Sequence, residues 1–216
     1  MREAFHDELD SVYTDLSSIC ELVTVSVERA TSALLTADAT LAERVISADA
    51  EVDLARERVE EKAFHLLSLQ APVAGDLRMV VAALRMVGEL ERMGDLSVHV
   101  AKIARLRVPE VAVPPDLRPT LARMARIAEE MVTDVVTIIA ERDVSGTDDL
   151  HPREQEMDRL RRSLFTTMFA EDWDHGVEAA VDVALLGRYY ERIADHALSV
   201  ANRIVFVVTG QPATLT

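Results

Sequence analysis

The short motif Glu-Arg-x-x-Asp occurs twice in the chain, at residues 91–95 and again at residues 191–195. A second acidic pattern, two acids four residues apart, occurs at residues 49–53 and recurs 105 positions later at residues 154–158. Internal repeats of this kind are typical of chains in which one structural unit has been duplicated. The sequence therefore predicts two halves with the same fold.

Apolar residues recur every three or four positions through most of both halves, which predicts long amphipathic α-helices. Aromatic residues make up only 4% of the chain, and this scarcity favours helices over sheets. The predicted helices span residues 4–37, 41–69, 73–106, 116–142, 153–170 and 176–208. The sequence thus predicts an all-α fold of two tandem homologous three-helix bundles, with six long antiparallel helices.

The predicted boundaries follow from proline and glycine. The first bundle is expected at residues 1–108, and a linker with four prolines follows it at residues 109–119. The second bundle is expected at residues 116–210, where Gly210 ends the last helix. Residues 211–216 are predicted to form a flexible tail.

The net charge of −15 argues against direct binding to nucleic acid, because phosphate backbones need a basic face. An acidic surface suits cations or basic partner surfaces instead. The one cysteine, Cys20, cannot form an internal disulfide. The sequence lacks a signal-peptide core and any run of about 18 apolar residues that could span a bilayer. We expect a cytoplasmic protein with no membrane span, and peripheral membrane association stays open.

The acidic residues also match by position across two predicted hairpins. Positions 53 and 91, and positions 49 and 95, both average to 72, where proline marks a turn. Positions 158 and 191, and positions 154 and 195, both average to 174.5, next to the second predicted turn. Because antiparallel helices place such positions opposite each other, each half is predicted to gather four carboxylates. The first set is Asp49, Asp53, Glu91 and Asp95, and the second set is Glu154, Asp158, Glu191 and Asp195.

The helical pattern places all eight acids on a flank of the apolar stripe, at the edge of solvent. Two charges about 6 Å apart repel each other by roughly 3 kcal/mol at an effective dielectric constant near 20, so each set needs positive charge nearby. Surface ion pairs within the chain are one source of that charge. The candidate pairs are Arg92 with Asp95, Arg192 with Asp195, and Arg162 with Asp158.

Metal ions are the other source of positive charge. Carboxylates are hard oxygen donors that suit Mg²⁺, Mn²⁺, Ca²⁺ or iron, and Zn²⁺ also stays among the candidates. His99 and His196 could add nitrogen ligands. The Glu-x-x-His spacing of ferritin-like di-iron proteins is missing at all four acid steps. The residue pattern leaves both metal binding and ordinary ion pairing open.

The sequence contains no catalytic constellation. A Gly-rich phosphate loop, a nucleophile elbow and a Cys-His pair are all absent, and acids on an open flank have no pocket to tune their pKa values. We therefore predict that the protein is not an enzyme. Three classes remain: a regulatory adaptor, a metal-storage or metal-dependent helical protein without a signalling role, and a structural dimerisation module.

Three segments resemble motifs of the PhoU family of phosphate-signalling regulators. They are Pro-Val-Ala-Gly-Asp-Leu-Arg at residues 72–78, Leu-Glu-Arg-Met-Gly-Asp at residues 90–95, and Glu-Arg-Ile-Ala-Asp-His at residues 191–196. The resemblance covers nearly the whole chain. It implies two homologous three-helix bundles with surface metal clusters, and it assigns the eight acids above as their ligands.

The same resemblance implies a cytoplasmic regulator of high-affinity phosphate uptake. Such a protein acts between the ATPase of the phosphate ABC transporter and a sensor histidine kinase, and it represses the phosphate-starvation response when phosphate is plentiful. Its effect on transcription is indirect, through two-component signalling, and we expect a homodimer. Residues 71–74 have no equivalent around Asp174, so partner contacts made by that loop are expected in the first half alone.

Overall fold

The computed structural model describes residues 2–69, 72 and 74–211 of the chain. The helices are α1 (Arg2–Thr36), α2 (Ala39–Leu69), α3 (Gly75–Arg107), α4 (Arg118–Glu141), α5 (Leu150–Met168) and α6 (Gly176–Thr209). The 3-10 turn Ser145–Thr147 precedes α5, and the described residues contain no strand. Within these ranges no helix combines the length and apolar content needed to cross a bilayer. The prediction of an all-α fold with six long helices is confirmed.

Two helix ends are set by the chemistry of a single residue each. The Asp38 carboxylate accepts a hydrogen bond of 2.9 Å from the backbone N–H of Leu41, which caps the first turn of α2. Gly210 adopts a left-handed conformation with φ of 73°, and its N–H donates to the Phe206 carbonyl at 2.9 Å. A glycine tolerates this conformation without steric cost, so α6 ends where predicted. The first predicted turn falls largely on residues 70, 71 and 73, and most of the predicted tail on residues 212–216, outside the described residues.

The fifth helix begins at Leu150, three residues before the predicted start. The predicted start at residue 153 left Pro152 in the turn before the helix. In the structure Pro152 lies in the first turn of α5, where a backbone N–H has no partner within the helix. The missing N–H of proline therefore removes no helical hydrogen bond at this position.

The two three-helix units pack against each other through four of the helices. Within the units, α1, α2 and α3 contact one another, and α4, α5 and α6 do the same. Between the units, α1 packs on α4 and α3 packs on α6, while α2 and α5 lie on the outside. Buried apolar residues from all six helices form one hydrophobic cluster. The halves therefore share a continuous core.

The proline-rich segment between the halves is packed against this core. Ala112, Val113 and Leu117 are buried, and Arg118 donates from Nε to the Val113 carbonyl at 3.0 Å. A segment with buried side chains holds a fixed path, in contrast to an exposed linker.

An ion-pair cluster joins the end of α3 to the start of α6. Arg107 Nε lies 2.5 Å from Asp182 Oδ2, its Nη2 donates to Oδ1 of the same carboxylate at 3.2 Å, and its Nη1 contacts Glu178. Asp182 is buried, so the bidentate contact with the guanidinium compensates its charge where water does not reach. Arg107 thereby links the two halves.

Candidate functional site

The first set of acids lies where α2 and α3 approach closely. Gly94, between the two acids on α3, has no side chain, and a Cβ added there would lie 3.5 Å from Val52 Cγ1 and 3.7 Å from Asp49 Oδ1. Positions 94 and 52 average to 73, and positions 94 and 49 average to 71.5, close to the predicted hairpin centre. The predicted register of the first hairpin is confirmed.

The four carboxylates of the first set act on one another. The pKa of Asp49 is raised, first by burial and then by the negative charges of Asp95 and Asp53, with a smaller contribution from Glu91. The ammonium group of Lys102 acts in the opposite direction. Asp53 is exposed, and the other three acids are half-buried. Negative charge in this cluster is therefore only partly compensated.

Two arginines supply positive charge near this cluster. Arg92 Nη1 lies 3.2 Å from Asp95 Oδ2, as predicted from the spacing of the two residues. Arg56 on α2 binds Glu60 at 2.9 Å, and the charges of Glu91 and Asp53 also contribute to its raised pKa. The sequence analysis missed Arg56, although its position three residues after Asp53 was a usable signal.

The second set differs because one of its acids is buried. Glu191 is 7% exposed, and its Oε2 lies 2.5 Å from Arg188 Nη1 and 3.1 Å from Arg161 Nε. The prediction that all eight acids lie at the edge of solvent is wrong for this residue. Two guanidinium groups neutralise its charge, which makes the burial tolerable. Gly187, one turn earlier, lets α5 come close, since an added Cβ would lie 2.9 Å from Leu164 Cδ1.

Asp195 and Glu154 lie near Glu191 in the second cluster. The pKa of Asp195 is raised by burial above all, and then by Glu191; Arg188 lowers it, Glu154 raises it, and His196 lowers it. Asp158 is exposed and is not among the charges that act on Asp195. Glu191 and Glu154 therefore act on Asp195 in the structure, whereas Asp158 is an exposed acid without a contribution to the raised pKa of Asp195.

Two of the predicted ion pairs are wrong. Arg192 contacts the ring of His196 at 3.4 Å and makes no ion pair with Asp195. Arg162 donates from Nε to the backbone carbonyl of Asp158 at 3.2 Å, so the Asp158 carboxylate stays free of it. Both predictions used spacing along one helix. The two arginine side chains instead contact other nearby acceptors, which the spacing of residues along the helix does not reveal.

Both histidines considered as metal ligands have other partners. His196 Nδ1 lies 2.6 Å from Glu89 Oε2, a contact from α6 to α3 across the two halves. His99 stacks on the ring of Tyr189, with ring centroids 5.3 Å apart. Across the described ranges, which contain all eight predicted ligands, no three His, Cys, Asp or Glu side chains are grouped closely enough to hold a metal ion. A metal ion would therefore require the carboxylates to rotate toward each other.

Comparison with known proteins gives the family. The PhoU domain model matches residues 16–104 and 121–204, two segments that coincide with the two halves. The chain belongs to the PhoU family. A PhoU homolog 2 of Mycobacterium tuberculosis, a phosphate-specific transport system accessory protein, is 46% identical over 210 residues, covering 97% of this chain and 99% of that protein. A PhoU homolog 1 of Mycobacterium leprae is 45% identical and covers 97% of this chain and 95% of its own length.

Solved PhoU structures share the fold. The crystal structure of PhoU from Pseudomonas aeruginosa superposes with a TM-score of 0.87 at 26% identity, covering 96% of this chain and all of that one. PhoU from Streptococcus pneumoniae, a phosphate transport system regulatory protein, superposes with a TM-score of 0.86 at 23% identity, which shows the fold alone. These PhoU proteins are named as accessory and regulatory proteins, not as enzymes, in agreement with the prediction.

Proposed function

We propose that this PhoU protein is a cytoplasmic, metal-binding regulatory adaptor that represses the phosphate-starvation response and modulates high-affinity phosphate uptake. It acts between the ATPase of a phosphate ABC transporter and a sensor histidine kinase. The observation that carries this proposal is the similarity, along 97% of the chain, to accessory proteins of phosphate-specific transport systems. We also expect a homodimer.

The first carboxylate cluster is the better candidate for metal binding. The charges of Asp53, Glu91 and Asp95 all act on Asp49, and the oxygen donors of the four acids suit hard cations such as Mg²⁺, Mn²⁺ or iron, with Zn²⁺ also a candidate. A bound cation would remove the repulsion that raises the pKa of Asp49. Binding of a shared ion would require these exposed and half-buried side chains to rotate toward each other.

The second cluster is already partly neutralised. Glu191 is bound by Arg188 and Arg161, so a cation at Glu154, Asp158, Glu191 and Asp195 would compete with two guanidinium groups. We expect this cluster to bind the same metals more weakly than the first. Site-specific affinities would differ even though the two halves are repeats.

The alternative, metal storage or a metal-dependent activity without signalling, is less well supported. Storage and catalytic iron sites in helical bundles combine carboxylates with histidine ligands. In this protein His196 is bound to Glu89, and His99 stacks on Tyr189. Both histidine rings are therefore engaged in contacts other than metal coordination.

A deletion strain tests the regulatory function. Removal of the gene is expected to switch on a phosphate-starvation reporter, such as secreted alkaline phosphatase, in phosphate-rich medium. A plasmid copy should restore repression. Normal repression in the deletion strain would overturn the proposal, provided that no second PhoU gene in that strain compensates for the loss.

A further inference from the structure

An apolar groove lies at the tip of the second hairpin, between the end of α5 and the start of α6. Its volume is about 480 Å³. The side chains that form it are Phe165, Met168, Phe169, Trp173, Val177 and Val181. None of the eight acids of the two carboxylate clusters lines this groove, although Arg161, which pairs with Glu191, lies over the Phe165 ring.

The rim of the groove exposes large apolar side chains. Phe169 is 82% exposed, Val177 is 80% exposed, and Val181 is half-exposed. Single exposed apolar residues are ordinary, but a group of them around a groove marks an interaction site. None of these residues is needed to complete the core, because their surfaces face solvent.

The groove is held in shape by the turn that closes it. Trp173 donates from Nε1 to the Gly176 carbonyl at 3.0 Å, and its backbone N–H donates to Ala170 at 3.1 Å. Its ring meets His175 edge to face with centroids 4.8 Å apart, and His175 Nε2 lies 3.0 Å from Asp116 Oδ1. A ligand that enters a preformed groove loses less of its binding free energy to ordering the protein.

The charges around the groove are acidic. Between Phe165 and Val181 the sequence has four carboxylates and neither lysine nor arginine. Glu171 and Asp172 are exposed and form no ion pair within the described part of the chain, and Asp174 is 86% exposed. Asp174 also lies 3.6 Å from His175 Nδ1, so Glu171 and Asp172 are the carboxylates that present unpaired negative charge beside the exposed apolar side chains.

Nearby cations leave this charge in place. Arg107 pairs with Glu178, one of these four carboxylates, and makes no ion pair with Glu171 or Asp172. Arg161 lies over the Phe165 ring at 5.5 Å and shares the Glu191 carboxylate with Arg188, and it makes no ion pair with Glu171 or Asp172. A complementary ligand therefore has apolar side chains to fill the groove and basic residues to meet the rim.

We propose that this groove binds an amphipathic segment of a protein partner whose apolar side chains are flanked by lysine or arginine. Helix-in-groove recognition uses anchors of this kind. A membrane surface is the weaker occupant, because anionic headgroups would be repelled by the acidic turn. The inference deepens the proposed regulatory function, since it gives one protein partner a docking surface.

The protein contains its own reporter for this groove. Trp173 is the one tryptophan in the chain, so intrinsic fluorescence reads out this site alone. We would titrate the full-length protein with an amphipathic helical peptide of leucine and lysine. The expected result is a saturable blue shift that weakens several-fold when salt rises from about 0.05 to about 0.5 M, because screening weakens charge attraction.

Two comparisons decide what the groove recognises. A peptide of the same pattern with glutamate in place of lysine should bind at least about tenfold more weakly. Vesicles of neutral or anionic phospholipid should leave the emission unchanged. No response to the leucine-lysine peptide, equal binding of the glutamate peptide, or a response to vesicles alone would each overturn the proposal.

Variants locate the binding surface. Phe169→Ser removes an exposed apolar anchor and should weaken peptide binding by about tenfold. A double variant of the acidic rim, Glu171→Gln with Asp172→Asn, should lower both the affinity for the peptide and the salt dependence of that affinity. Leu54→Ser, at a 59% exposed position on α2, is the matched control and should bind normally. Equal affinity of Phe169→Ser and the control would overturn the proposal. Circular dichroism melts verify that all variants are folded, and the reporter in the deletion strain tests the regulatory function separately.

Discussion

Asp49 lies where burial and three neighbouring carboxylates act on the same side chain. Its folded-state pKa is above the ordinary value of an aspartate, so the native state binds this proton more tightly than the unfolded state does. Between those two pKa values the native state binds more protons, and stability therefore falls as pH rises through that window. Above the raised pKa the charged carboxylate remains a destabilising group.

Replacement of that carboxylate is therefore expected to stabilise the metal-free protein. Asp49→Asn should raise the free energy of unfolding at pH 7 by up to about 1 kcal/mol, because it removes repulsion in a half-exposed cluster. Urea denaturation in the presence of a chelator measures the change. Glu51→Gln, at an exposed acid on the same helix, is the control and should change stability little. A loss of stability in Asp49→Asn would contradict the charge assignment.

Glu191 presents the opposite case, a buried carboxylate held by two arginines. Arg161→Ala leaves that carboxylate with Arg188 as its remaining cation, and we expect the protein to lose about 1–3 kcal/mol of stability. Urea unfolding at pH 7 measures this loss. Arg162→Ala changes the neighbouring exposed arginine and should be nearly neutral. Equal effects of the two variants would show that Arg161 does not neutralise Glu191.

The close approach of α2 to α3 depends on Gly94, a position on α3 that has no side chain. A Cβ on Gly94 fits in ordinary contact with Val52 and Asp49, but a larger side chain does not. Gly94→Leu should destabilise the protein by about 2 kcal/mol or more, because overpacking forces the helices apart. Gly88→Leu on the same helix is the control, since a Cβ there meets no atom within 4 Å. Thermal denaturation compares the two, and equal melting temperatures would contradict close packing at Gly94.

The elements that the sequence predicted well are those set by local chemistry and by the repeat. The end of α6 followed from Gly210, and positional averages gave the register of the first hairpin. Contacts between helices distant in sequence were not predictable. The Glu89–His196 contact depends on how α3 meets α6, which periodicity within one helix does not specify.

At the level of the whole molecule, the two PhoU repeats are joined by a shared core and by the Arg107 cluster. Arg107→Ala leaves the buried Asp182 carboxylate without its cation, and we expect a clear loss of stability, larger than that of an exposed pair. Arg105→Ala, two residues earlier, removes an exposed pair with Glu43 and should cost less than about 1 kcal/mol. Denaturant unfolding of both variants makes the comparison. Similar losses of stability in the two variants would show that Arg107 is not a principal contact between the halves.

The repeats also explain why the charge of the protein is concentrated. Duplication of one acidic hairpin places carboxylates on two faces of the fold, and the second copy is partly neutralised by Arg161 and Arg188. The first copy keeps more of its repulsion. A metal-binding PhoU protein of this kind is expected to fill the first cluster before the second.

Metal content of the purified protein tests the carboxylate clusters most directly. Protein dialysed against a mixture of iron, Mn²⁺, Mg²⁺ and Zn²⁺, and then washed, would be compared by elemental analysis with an Asp95→Asn, Asp195→Asn variant. The account predicts bound metal in the wild-type chain and a loss of most of it in the variant. No bound metal in the wild type, or equal metal in both proteins, would contradict it.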